Sequence, residues 1–192
     1  MKNRLLSVLI LAGTVLSAHA SAQRSTWTID PAHSRVNFEI TNLAVNHVHG
    51  SLAGVNGTLN YDEKDITKSD VTATIDTKTI NTGNDQRDTH LKSADFFDVE
   101  KNPTINFKST AVTNKEGKLQ LVGDLTINGI TKSITLNLDG PAPPQTMQGK
   151  TISGFSASGK LSRKDFNFGP KYSPPILGDD VKFTIDVEID KK

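Results

Sequence analysis

Val181-Lys182-Phe183-Thr184-Ile185-Asp186-Val187-Glu188-Ile189-Asp190 alternates apolar and polar residues without a miss. Period two over ten residues describes a β-strand with one face buried and the other in water. The same alternation recurs at Val36, Phe38, Ile40; at Val71, Ala73, Ile75; at Leu119, Leu121; and at Ile134, Leu136, Leu138. Turn chemistry separates these runs at Asn46 to Gly50, Gly54 to Gly57, Asn114 to Gly117 and Asn128-Gly129. The last is the dipeptide a two-residue hairpin prefers. Short intervals make neighbours pair antiparallel. Roughly eight strands are expected, closed as an up-and-down barrel or stacked as a sandwich.

One stretch breaks the pattern. Residues 79–108 read TINTGNDQRDTHLKSADFFDVEKNPTINFK, a strand end, a break at Asn81-Thr82-Gly83, and a charged run of helical spacing. Asn84 is placed to cap a short helix whose first turn holds Asp85 and Asp88, where acidic groups suit the helix dipole. Leu91 then faces the same side as Phe96-Phe97, which would plug one end of a β structure. The segment reads either as a crossover helix with a solvated face or as a lid over a ligand.

Residues 1–22 read as a cleaved leader. Lys2 and Arg4 precede the apolar run Leu5 to Leu16, and Ala18-His19-Ala20 or Ala20-Ser21-Ala22 offers a small-x-small cleavage site. Twelve apolar residues fall short of the ~20 that span a bilayer. Periplasmic export is the expectation, with residues 23–192 as one domain. Losing Lys2 and Arg4 changes the formal charge from +1 to −1. The chain has no cysteine, so neither disulfides, thiolate chemistry nor a lipoprotein anchor is available to it. A near-neutral balance without a basic patch argues against a nucleic-acid partner. Eight Phe, two Tyr and one Trp, with a lysine at the C-terminus, do not make the aromatic girdles of an outer-membrane barrel.

Thr82-Gly83-Asn84-x-x-Arg87-Asp88-x-His90-Leu91-x-Ser93-x-Asp95-Phe96-Phe97-Asp98, followed by Asn102-Pro103-Thr104-Ile105-x-Phe107, resembles the signature of the YceI-like family. Trp27-x-x-Asp30-x-x-His33-Ser34-x-Val36-x-Phe38 resembles that family's opening strand, and Gly123 to Lys132 its central hairpin. Gly154-Phe155 and Arg163-x-Asp165-Phe166 resemble its late strands. The resemblance runs from about residue 26 to 190. It implies an all-β, eight-stranded antiparallel, lipocalin-like barrel with one short inserted helix, secreted, binding polyisoprenoids and other lipids without catalysis. Leu52 and Val55 stand where the family usually has phenylalanine, Asn42 where it often has histidine. Asn167-Phe168 intervenes before Gly169, ahead of a proline-rich loop.

Such a barrel is just wide enough to fill with side chains or to hold one small ligand. The expected lumen residues are Phe38, Ile40, Ile75, Phe96, Phe97, Phe107, Leu125, Ile127, Leu136, Phe155 and Phe183. They offer dispersion and water exclusion with almost no hydrogen bonding. Asn84, Arg87, His90 and Arg163 are the candidates for a head group, a guanidinium suiting a pyrophosphate or quinone oxygen. Each arginine has an equally ordinary use in an ion pair, Arg87 with Asp85 or Asp88 and Arg163 with Asp165. A filled barrel serving as an interaction or stress-response protein, with residues 84–98 as its contact face, is the other reading. A homodimer would suit the exposed helix and loops. His47-x-His49 has strand spacing for one face, yet with so few histidines and no cysteine no metal or other cofactor is expected. Asp30, His33 and Ser34 are the ingredients of a triad, but adjacent strand residues point to opposite faces, so no catalytic residue is assigned.

Overall fold

In the computed structural model, which describes residues 24–192, ten strands and one α-helix form a closed antiparallel barrel. The expected leader lies outside the described residues. The strands are β1 (Arg24–Asn42), β2 (Asn46–Leu52), β3 (Val55–Asp62), β4 (Asp70–Asp76), β5 (Thr104–Lys115), β6 (Lys118–Ile127), β7 (Ile130–Asp139), β8 (Gln145–Met147), β9 (Lys150–Ser162) and β10 (Leu177–Lys191). Helix α1 (Asp85–Lys92) sits between β4 and β5. The barrel runs β1-β3-β4-β5-β6-β7-β9-β10 and closes where β10 returns to β1. Eight positions result from ten strands for two reasons. β2 and β3 share one position, pairing with the second and first halves of β1. β8 is a short flap on β9.

The hairpins follow from backbone chemistry. Asn128-Gly129, Glu116-Gly117 and Gln148-Gly149 all have positive φ at both central residues, the primed turn that matches strand twist. Asn46 to Gly50, expected as a turn, is strand β2. His47 and His49 face outward while Val48, Gly50 and Leu52 face the lumen, so polar residues on one face of a strand imitated a loop. The turn falls instead at Leu43–Val45. Gly54 (φ +66°) breaks β2 from β3, but Gly57 lies within β3.

A bulge interrupts β1 between Asp30 and Arg35. It buries Ser34, whose Oγ accepts from the Glu188 N–H at 3.1 Å. It leaves His33 outside, with Nδ1 3.1 Å from Asp30 and 3.6 Å from Glu188. Ser34 and His33 therefore face apart, and no triad forms. The Asp30 hydrogen bond, with Glu188 nearby, raises the His33 pKa above its ordinary 6.5, and the same bond lowers that of Asp30. A raised folded-state pKa contributes stability that is complete below the unfolded value and fades as pH climbs through the folded one. The stability advantage of wild type over His33→Gln is thus expected at about pH 5 and should shrink toward about pH 9. Urea midpoints across that range check it, and an advantage growing with pH would contradict it.

Candidate functional site: the barrel lumen

The inward faces of the strands enclose a cavity of about 440 Å³ whose lining is almost wholly aliphatic and aromatic. That is within the range of small-molecule sites. All eleven residues expected to line the lumen do so. The face of β10 shows the consequence: Val181, Phe183, Ile185 and Val187 are only partly buried, because part of each side chain borders open space.

Glycines keep the bore open. Phe38 pairs with Phe183 across β1 and β10, Phe38 with Gly50 across β1 and β2, and Phe183 with Gly159 across β10 and β9. The row reads Gly-Phe-Phe-Gly over four strands. Each ring lies so close over its glycine that a Cβ would fall 2.4 Å from Phe38 at Gly50 and 2.8 Å from Phe183 at Gly159. Phe107 covers Gly123 in the same way at 2.4 Å. Rings laid on a glycine hug the wall, whereas rings standing on larger residues would cross the lumen. The glycines carry this information, and hydrophobic patterning does not see them.

One end of the barrel is roofed by α1, the segment after it and the loop 167–176. Asn84 caps α1, its Oδ1 accepting from the Arg87 N–H at 2.9 Å. The oxygen is committed there and the residue lies outside the cavity lining, so the head-group role expected of Asn84 has no geometric support. Arg87 forms no ion pair with Asp85 or Asp88. It donates from Nε to the Thr82 hydroxyl at 2.8 Å and from Nη2 to the Thr82 carbonyl at 2.9 Å. Asp88 is buried and accepts from both the N–H and the hydroxyl of Thr82. This three-residue knot holds Arg87 in the cavity lining with Nη1 unengaged among the described residues.

His90 also borders the cavity, edge-on to Phe96 at 5.1 Å and near Tyr172 at 6.1 Å. Phe96 stacks on Tyr172 at 5.6 Å, and Phe97 meets Phe168 at 4.5 Å. Gly169 (φ +61°) lies under Phe96, where a Cβ would approach the ring to 2.6 Å. Asp95 joins the two sides, accepting from Lys171 at 2.7 Å, and that bond holds its pKa below the usual carboxylate range. Leu91 and Phe97 join the core as expected. Among the lining residues only His90 and Ile176 are exposed, which locates the mouth between α1 and the 167–176 loop.

Arg163 borders the cavity but does different work. Its side chain is 1% exposed, and its donors go to the carbonyls of Gly178, Phe168, Gly169, Tyr172 and Leu177. Its charge partner is Asp179 at 3.1 Å, not Asp165. With five N–H groups on five carbonyls, nothing is left for a head group. The expected role is thereby replaced by a structural one, and motif position alone did not reveal it. His47 and His49 face outward from β2, away from the lumen. Asp30, His33 and Glu188 bring three donor atoms within 4.8 Å of one another outside the barrel, with Lys150 2.7 Å from Asp190 and 3.9 Å from Asp30.

A family model described as YceI-like domain matches residues 27–189. The protein YceI of Escherichia coli O6:H1 is 36% identical over 190 residues, spanning 98% of this chain and 97% of that one. The crystal structure of a Campylobacter jejuni YCEI protein superposes with a TM-score of 0.70 at 31% identity, covering 77% of this chain and 87% of that one. A polyisoprenoid binding domain from Saccharophagus degradans, implicated in plant cell wall breakdown, shares the fold with a TM-score of 0.63 at 12% identity, covering 86% and 98%.

Proposed function

Because the chain belongs to the YceI-like family, we propose that its barrel is a non-catalytic carrier for one long apolar chain, a polyisoprenoid such as an isoprenoid quinone. The open, apolar bore is the observation that carries this reading over a filled interaction barrel. The name of the Saccharophagus neighbour points to the same ligand class. Binding needs no special chemistry. A buried methylene contributes about 0.8 kcal/mol, so about ten of them reach the −8 kcal/mol of micromolar affinity.

Selectivity then rests on bore width and on the mouth. Arg87, fixed by Thr82 with an amino group to spare, and His90 beside it are the groups that receive a phosphate or quinone oxygen. The leader-like residues 1–22 support carriage in the periplasm, where a soluble shelter for an oily tail is useful.

Gentle, detergent-free purification followed by mass spectrometry of an organic extract should yield a prenyl-chain lipid at near one per barrel. An empty extract, together with failure to take up a prenylquinone offered from ethanol, would end the carrier reading.

A further inference from the structure

A lipid carrier must meet a membrane, and the rim of this mouth is built for one. Four large apolar residues are exposed among the described residues: Leu43, Val45, Ile176 and Met147. Three of the four gather at the mouth, while Met147 sits on the flap at the far end. Leu43 and Val45 tip the β1–β2 turn, and the Leu43 N–H donates to the Ile176 carbonyl at 3.1 Å. The two loops thus make one patch, extended by exposed Pro174 and Pro175. Ile176 belongs to both the patch and the cavity lining, so the patch is continuous with the lumen.

The turn is also an odd choice on folding grounds. Leu43 and Ala44 have φ of 51° and 55°. That left-handed region suits Gly or Asn and costs a leucine. A strained, solvent-facing leucine gains nothing for the isolated barrel. The patch is neutral as well: residues 40–46 and 172–178 contain no charged side chain. A protein partner is commonly met with a polar rim. An uncharged apolar tip fits the headgroup–acyl boundary of a bilayer.

We propose that Leu43, Val45 and Ile176 insert into a lipid bilayer surface and seat the cavity mouth on it, so that a prenyl tail passes between bilayer and lumen without crossing water. The proposal rests on the carrier reading for its purpose but not for its test.

Flotation with vesicles of phosphatidylcholine alone should carry the wild-type protein upward, about equally at low and high salt. Val45→Asp and Ile176→Asp should each weaken vesicle binding at least about tenfold. Leu43→Asn is the sharper variant. Asparagine tolerates positive φ, so its thermal midpoint should stay level or rise while vesicle binding falls. Leu43→Asn and Val45→Asp, whose residues lie outside the cavity lining, should still take up a prenylquinone from ethanol. Wild-type protein that does not float, or variants that float equally, would overturn the proposal. So would a wild-type dimer made monomeric by Val45→Asp, which would make the patch a face between two copies. Vesicle binding without any lipid uptake would sustain the docking tip and defeat the carrier reading alone.

Discussion

Replacing Gly159 with leucine is expected to cut the lipid recovered with the protein at least about 100-fold while leaving the barrel folded. The first added carbon meets Phe183 Cζ and Leu136 Cδ2, each at 2.8 Å, and its three nearest neighbours are all side-chain atoms. Only flexible side chains must move, and the way open to them is inward. The Phe183 ring swings off the wall into the bore, and the leucine follows. Together they displace about four methylenes of ligand, or ~3 kcal/mol. Folding is not the obstacle, since glycine inside a strand is itself unfavourable by roughly 0.5–1 kcal/mol. Gly123 would be a poorer site for the same experiment, because a Cβ there also meets the Lys108 carbonyl at 2.6 Å. Quantitative mass spectrometry beside a thermal melt reads the result. Undiminished lipid in a well-folded Gly159→Leu protein would show that the ligand does not use this bore.

Arg163→Met is expected to produce the largest loss of stability, about 3–5 kcal/mol. Five backbone carbonyls and the Asp179 carboxylate converge on a guanidinium that is 1% exposed. Methionine matches its length but donates nothing, so these acceptors are left facing an apolar stub. For a barrel of this size, a change of 1 kcal/mol moves the midpoint by roughly 2–4 °C, giving a fall of about 10 °C. Arg163→Lys should rescue little, because a point charge on a flexible stem cannot serve a fan of carbonyls. Calorimetry of the two variants tests this, and a lysine variant as stable as wild type would refute the hub. The loop 167–176 should then become the first segment open to proteolysis.

The fold was legible because alternation is a direct imprint of burial on one face. Val181 to Asp190 occupies the heart of β10, and Asn128-Gly129 makes its hairpin. The lumen residues were legible for the same reason. Whether the lumen is open was not, since Phe183 has the same place in the pattern whether its ring crosses the bore or lies on Gly159. Direction was also hidden at the motif arginines. Arg87 and Arg163 are both charged residues in family motifs, yet one is held at the cavity by Thr82 while the other disappears into a nest of carbonyls. That difference is set by residues 168–178, which follow the Arg163 motif directly and turn their carbonyls back on it in a way no residue pattern announces. The apolar rim escaped notice because Leu43 and Val45 fit the apolar content of an ordinary strand end, and only their exposure and backbone angles mark them.

The seam between β1 and β10 has a consequence for how the molecule is born. It zips Trp27 against Lys191 and Ile40 against Val181, joining the strands that lie farthest apart along the chain. Contacts of such long range are slow to form. Until β10 is available, the remaining strands make an open, curling sheet with a greasy concave side and two raw edges. Loss of that final strand would be expected to leave a sticky half-pipe in place of a smaller vessel. The container exists only once its last stave is in place.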